Sequence, residues 1–240
     1  MGLDEALLLS GGATPTLRLY TWSPDALSLG YFQALEDVPA ARDHPCVLRR
    51  ITGGGAIHHH AGELTFSVTI ARDDPAYRGT VAASYASTHR AVALALERLG
   101  ARGARERRSE ACASDRDGTG MCFHDSTPMD VGWDAGVGFQ KGVGTAQRRT
   151  GGRILHHGSI KVSPSPLEPG VATLAETPGA NAEIGALARE LIGAFGEVFG
   201  VSIEPTTFHH QLDREAKRLG ARYVSEAFVH RQVRRRVPHP

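Results

Sequence analysis

Hydrophobic and polar positions alternate most regularly over residues 64–70, where Leu64, Phe66, Val68 and Ile70 are interleaved with Thr65, Ser67 and Thr69. A period of two puts the apolar set on one side of an extended chain, so this segment predicts a β-strand with one buried face. Shorter apolar runs at 17–20 and 46–51, bounded by Pro-containing turns, predict two further strands. Over 80–99 the period becomes helical. Val81, Tyr85, Val92, Leu96 and Leu99 fall on one side, with Thr80 as a candidate N-cap and Gly100 as the stop. Ile184, Leu187, Leu191, Phe195 and Val198 repeat that spacing between Asn181 and Gly200. A shorter helix follows, with Leu212, Ala216 and Leu219 inward and Gly220 ending it.

Residues 101–158 contain few long apolar runs and many glycines, which predicts loops and tight strand connections. The Pro-rich stretch 163–181 reads as a connection rather than a second domain, and no internal repeat is visible. A chain of 240 residues suits one large domain, expected here over 1–230 and followed by a basic tail, 231–240.

Composition narrows the function classes. With 41% hydrophobic and 22% charged residues the chain is ordinary for a globular protein, and no apolar run approaches the roughly 18 residues of a membrane span. Asp4 and Glu5 precede a short apolar patch, unlike the basic-then-apolar order of a secretory signal, so a cytoplasmic location is expected. The net charge is +1, and the basic residues cluster only in "RGARERR" and the "RRR" of the tail. Without a basic stripe or aromatic platforms, neither nucleic acid nor a membrane is an expected partner. Three cysteines, Cys46, Cys112 and Cys122, without CxxC spacing argue against a disulfide framework and against zinc.

Candidate chemistry concentrates in three places. In "RRITGGGAIHHHAGELTFSVTI", residues 49–70, the triplet Gly53, Gly54 and Gly55 can bring backbone N–H groups against a phosphate, a carboxylate or a flat ligand. It fits neither the phosphate-loop nor the dinucleotide spacing, and a plain Gly-rich hairpin is the alternative. Arg49 and Arg50 favour an anionic or acyl-carboxylate partner. His58, His59 and His60 alternate faces on an extended chain, so they do not converge on one ion. One histidine orienting a ligand is the better reading, no metal is expected, and the same caution applies to His156 and His157. Lys141, in "QKGVGTAQ", suits charge stabilisation or proton transfer, with an exposed turn lysine as the alternative. Cys122, in "GMCFHD", needs a positive or hydrogen-bonding neighbour to act as a nucleophile, which His124 or Lys141 can supply; otherwise it is a small buried residue.

The motif around Gly53 to Gly55 resembles the arginine-glycine signature of the lipoate-protein ligase A and octanoyltransferase family, within the biotin/lipoate protein ligase catalytic domain superfamily. "QKGVGTAQRRTGGRILHHGSI" resembles that family's lysine motif. "MGLDEALL" and "LRLYTWSPDALSLGYFQ" are similar to its opening, and "RYVSEAFVHR" more loosely to its closing helix. The resemblance covers nearly the whole chain in order. It implies an α+β fold like that of class II aminoacyl-tRNA synthetases: a mixed, mostly antiparallel β-sheet backed by helices, with an acyl tunnel beside the glycine motif. It also implies transfer of an octanoyl or lipoyl group to a lysine of a lipoyl domain or of a glycine-cleavage H-type carrier protein.

Carried over residue by residue, Arg49, Gly53, Gly54, Gly55 and Ala56 fall on the glycine motif and His59 on its histidine. Lys141 falls on the family lysine, Gly144, Thr145 and Ala146 on GSA, and His157 and Gly158 on the following HGS. Two routes are implied. One takes the acyl group from acyl carrier protein onto Cys122 as a thioester and needs no cofactor; the other uses ATP and Mg to form an acyl adenylate. The "CF" at Cys122 resembles the CFxxPSxYD stretch that carries a nucleophilic cysteine in one octanoyltransferase branch, which favours the first route. The ten residues between Thr52 and Glu63 suit the ligase version of the loop. A non-catalytic relative that only binds an acyl group or a carrier is the third reading. This chain departs from the family pattern at His60, where aspartate is usual, at Gln140, where a basic residue is usual, and at Met129, where tyrosine is usual. Met1 stands where the family's first helix begins, so the strand that usually precedes it is not expected within this sequence.

Overall fold

In the computed structural model, which describes residues 1–10 and 14–233, the alternating segment is the middle of strand β5 at the heart of the larger sheet. In chain order the elements are α1 (Gly2–Leu9), β1 (Thr16–Tyr20), β2 (Ala26–Leu29), β3 (Val47–Arg49), β4 (Ile57–His59), β5 (Glu63–Ala71), α2 (Val81–Arg98), β6 (Arg105–Glu106), β7 (Val131–Asp134), β8 (Phe139–Arg149), β9 (Arg153–Lys161), α3 (Ile184–Phe199), α4 (His210–Tyr223) and α5 (Glu226–Val229). The six-stranded sheet runs β1-β5-β9-β8-β7-β6 and is antiparallel throughout. A second sheet, β3-β2-β4, pairs β2 parallel to β3 and antiparallel to β4. The expected mixed, mostly antiparallel α+β architecture is observed.

One face of the larger sheet is apolar. Leu64, Phe66, Val68, Ile70, Val143 and Ile160 pack beneath α2 and α3 through Val92, Leu96, Leu187, Leu191 and Phe195. Each large side chain so buried contributes about 1.5–3 kcal/mol. The opposite face differs from the expectation of a half-exposed strand, because Thr65, Ser67 and Thr69 are buried as well. Two of the three hydroxyls are used: Ser67 Oγ donates to Asp4 at 2.6 Å, while Thr65 Oγ1 accepts from Trp22 Nε1 at 2.8 Å and donates to Glu63 at 2.9 Å. Thr69 Oγ1 is buried without a partner among the described residues. Hydrogen bonding offsets most of the cost of burying this polar face, which forms part of the candidate site.

Three other expectations change. Val81 is exposed in the first turn of α2, although Thr80 does cap that helix by accepting from Ala83 N. Helix α4 continues through Gly220 to Tyr223. The close helix crossing there depends on Gly2 of α1, whose Cβ would lie 2.8 Å from Gly220 N, whereas a Cβ on Gly220 itself would meet nothing within 4 Å. The glycine-rich segment 101–158 is not loop alone: it also contributes β6, β7, β8 and the first part of β9. Of the tail, residues 231–233 are described, whereas the "RRR" run lies outside the described residues. No helix among the described residues is long and apolar enough to cross a membrane.

Candidate active site

The glycine loop and the Cys122 segment are stitched together by backbone. Ala56 N donates to Gly120 O at 2.8 Å and Cys122 N donates to Ala56 O at 2.7 Å, an isolated parallel bridge. Gly55 is required there, because a Cβ would lie 2.9 Å from both Cys122 N and Gly120 O. Opposite them, β8 and β9 pair Gly144 with Ser159, Thr145 with Gly158 and Ala146 with His157. A Cβ on Gly144 would lie 3.4 Å from Cys122 Sγ, so the glycine leaves the sulfur open on that side. A narrow cavity results, lined by Cys122, Gly53, Gly54, Gly144, Thr145, Ala146, His157 and Gly158, with Trp22, Arg50, Ile57, His59 and Thr65 around the rest.

Lys141 reaches this site through a β-bulge. Val131 pairs with Val143 but the next residue, Gly132, pairs with Lys141, so Gly142 is the extra residue of β8. Val143 belongs to the helix-side core, and in an unbroken strand Lys141, two residues away, would share that face. The bulge re-aims it. Glycine is needed at the kink because a Cβ on Gly142 would overlap the Trp133 ring. The Lys141 ammonium lies 3.0 Å from Asp130 Oδ2 and 3.5 Å from Cys122 Sγ. It donates to the carbonyls of Cys122 at 2.6 Å and Asp125 at 3.3 Å.

Lys141 is 1% exposed, not a turn lysine. Burial alone would lower its pKa, but the adjacent Cys122 and Asp130 outweigh burial and raise it. Lys141 is therefore a standing cation, suited to holding a thiolate or an oxyanion rather than to accepting a proton. His124, the other candidate activator, points away: its ring nitrogens meet Thr119 Oγ1 and Pro169 O, each at 3.2 Å.

The three consecutive histidines separate as alternation demands. His59 stacks on Trp22 with ring centres 4.0 Å apart, while its Nδ1 meets Glu63 Oε1 at 2.5 Å and its Nε2 meets Ser28 Oγ at 2.8 Å. His58 and His60 stack on each other instead, at 5.3 Å. His58 is pushed down to about 4 by burial and by Lys161, and it bonds Ser165 Oγ. His60, in the place where the family pattern has aspartate, accepts from Gly62 N at 3.1 Å. Among the described residues no group of three or more metal-ligating side chains converges. His157, which meets Thr52 Oγ1 at 2.7 Å, is lowered to about 3, chiefly by burial. It is neutral at physiological pH.

Of the two arginines expected to favour an anionic partner, only one faces the cavity. Arg49 does not line the cavity; its guanidinium is spent on the carbonyls of Gly30, Gln33, Phe228 and Val229, tying β3 to the end of α5. Arg50 faces the site and straps the glycine loop, donating to Gly53 O at 2.8 Å and Gly55 O at 2.6 Å. Adjacent strand residues point to opposite faces, and nothing in "RR" itself says which points where.

Sequence reasoning also passed over Asp130 and the buried cluster of Lys161, Glu63 and Glu168. Asp130 had a signal, as the closing aspartate of the stretch that begins at Cys122. Lys161 and Glu168 had none.

Comparison with known proteins agrees with this geometry. The profile of the lipoyl protein ligase A/B catalytic domain matches residues 1–182. The chain is 31% identical to the octanoyltransferase LipM of Moorella thermoacetica, across 97% of this chain and 93% of the relative. It is 30% identical to the octanoyltransferase LipM of Kyrpidia tusciae, across 97% and 94%. Among solved structures, a putative lipoate protein ligase from T. acidophilum with bound lipoic acid superposes with a TM-score of 0.74 at 25% identity, covering 95% of this chain and 92% of that one. A lipoate-protein ligase A bound with ATP shares the fold, with a TM-score of 0.75 at 23% identity and the same coverage. A chain with this profile match and these relatives, aligned over nearly all of their length, belongs to the lipoyl protein ligase A/B catalytic domain family.

Proposed function

We propose that the protein is an octanoyltransferase of lipoate attachment that works through an acyl-cysteine on Cys122. The observation that carries this reading is the Cys122 sulfur, half-buried at the cavity wall and 3.5 Å from the Lys141 ammonium. Residues 1–230 act as the catalytic unit in this reading. The donor is octanoyl-acyl carrier protein and the acceptor is a lysine of a lipoyl domain or an H-type carrier protein.

In the first half-reaction the Cys122 sulfur bonds to the acyl carbon, the donor's C–S bond breaks, and the thiol proton leaves with the donor thiol. In the second, the acceptor lysine amine bonds to the same carbon, the Cys122 C–S bond breaks, and one amine proton restores the thiol. Lys141 keeps its proton throughout, stabilising the thiolate and the tetrahedral oxyanion in a site screened from water. Both steps exchange one acyl bond for another of equal or lower energy, so the route needs neither ATP nor a metal.

Intact-mass measurement after incubation with octanoyl-acyl carrier protein tests the reading. One added octanoyl group is expected, and Cys122→Ser is expected to remove it. Transfer that requires ATP and survives Cys122→Ser would establish the ligase route instead.

A further inference from the structure

Two guanidinium groups outside the cavity lie over one aromatic ring. The Arg231 guanidinium carbon is 3.9 Å and that of Arg148 is 5.3 Å from the centre of the Tyr31 ring. Neither has a hydrogen bond or ion pair with a described residue, and Arg231 Nη1 is buried without a partner among them. Their neighbours Arg49 and Arg50, by contrast, direct both terminal guanidinium nitrogens to carbonyls, although Arg50 Nε is buried without a partner among the described residues. Each guanidinium is within 5.3 Å of the same ring centre, and forked N–H donors that no described residue engages are the groups that bind a phosphate or carboxylate.

The pair sits at the rim of the acyl site. Arg148 shares its strand face with Ala146 and Gly144, and Ala146 lines the cavity. Tyr31 N donates to Thr52 O at 2.8 Å, directly before the glycine loop. Gln33 ties this turn to the nucleophile's segment, accepting from Gly30 N at 3.3 Å and donating to Gly120 O at 2.7 Å. Phe32, 68% exposed, stands beside Gly53. At about 3.4 Å per strand residue, Arg148 begins on the order of 14 Å along β8 from Gly144, which lies against the Cys122 sulfur. An acyl adenylate carries its phosphate directly on the reacting carbonyl, a bond or two from the atom Cys122 would attack, which does not match a separation of this order. A phosphate joined to the thioester by a long flexible spacer fits the separation.

We propose that Arg148 and Arg231 form an anion subsite that holds the phosphate of a phosphopantetheine thioester donor while its acyl carbon reaches Cys122. This rests on the transferase reading, since only that route uses such a donor.

Calorimetric titration of the full chain with unacylated 4′-phosphopantetheine, pantetheine and AMP tests the subsite without any turnover. Phosphopantetheine is expected to bind at least about tenfold more tightly than pantetheine, as two charge-assisted contacts would give. The double variant Arg148→Ala, Arg231→Ala should abolish that difference, and the corresponding double lysine variant should recover part of it. Equal binding of the two probes by the wild type, or a difference that survives in the double alanine variant, overturns the proposal. So does AMP binding lost in that variant without any preference for phosphopantetheine. If the difference appears as expected but no thioester donor acylates Cys122, the subsite stands and the transferase reading falls. Acylation by octanoyl-carrier protein and by octanoyl-coenzyme A, compared in the same variants, tells which source of this phosphate the protein uses.

Discussion

Lys141 on β8 and Lys161 on β9 are both essentially buried, and both ammonium groups lie over the Phe123 ring, at 5.7 and 4.7 Å. They use their charge differently. Lys161 meets two carboxylates, Glu63 at 2.8 Å and Glu168 at 2.7 Å, and donates to the His58 carbonyl at 2.6 Å. Burial would lower its pKa, but the two glutamates raise it. Glu63 in turn is held well below the usual carboxylate range despite its burial, because His59 and Lys161 favour its charge. That cluster is closed, and it braces His59 against the cavity. Lys141 has one carboxylate, two carbonyls and a thiol. A buried cation facing one carboxylate retains attraction for a second anion, and the anion within reach is the Cys122 sulfur or an oxyanion formed beside it. Full burial therefore does not separate the two lysines; the number of carboxylates does, two at Lys161 and one at Lys141.

The comparison is broken most directly by removing each lysine in turn. Lys161→Ala leaves two buried glutamates on an empty site and is expected to cost about 3–5 kcal/mol in denaturant unfolding. The acylation rate of the folded fraction should fall much less than tenfold. Lys141→Ala is expected to lower the rate constant for Cys122 acylation by about 10²–10³, roughly 3–4 kcal/mol of transition-state stabilisation, with a smaller effect on stability. Single-turnover mass spectrometry beside equilibrium unfolding separates the two patterns. A stability loss from Lys141→Ala as large as that from Lys161→Ala, without a rate effect, would reduce Lys141 to a second structural cation.

Gly142→Ala sharpens the same contrast, since the added methyl overlaps Trp133. It should destabilise by up to about 3 kcal/mol through overpacking. Because the bulge aims Lys141 but not Lys161, acylation should slow as well.

The smallest expected effect is on pH dependence. His157 titrates at about 3 in the folded chain, against the ordinary 6.5, so below pH 6.5 the unfolded chain binds the extra proton. Stability therefore falls as the pH drops through this window, by about 2 kcal/mol between pH 6.5 and 5 at one such site. Glu63 adds nothing there: its pKa is depressed, both states are ionised above about pH 4.5, and its contribution is lost only at more acid pH. Urea midpoints of the wild type and His157→Gln, measured from pH 7 to 5, should show a shallower slope for the variant.

Local order was largely legible along the chain. The alternation of 64–70 marked β5, the spacing over 80–99 and 184–198 marked α2 and α3, and the glycine triplet, Lys141 and Cys122 marked the site. These follow from periodicities of two and 3.6 and from residue chemistry, which neighbours along the chain suffice to express. The glycines of 101–158 misled because Gly142, Gly144 and Gly158 are small for close packing inside strands rather than for turns; a Cβ on Gly158 would lie 2.6 Å from the Phe66 ring.

What the sequence by itself determined is six of the elements, β1, β3, β5, α2, α3 and α4, with the family motifs and the candidate chemistry. The tertiary structure decided that Arg50 rather than Arg49 faces the site, and that Lys141 crosses to the Cys122 face through a bulge at Gly142. It also decided that Lys161 is enclosed by two glutamates from distant segments. The physical reason is common to all three: which way a strand side chain points, and what it meets there, depends on register and on partners far away in sequence.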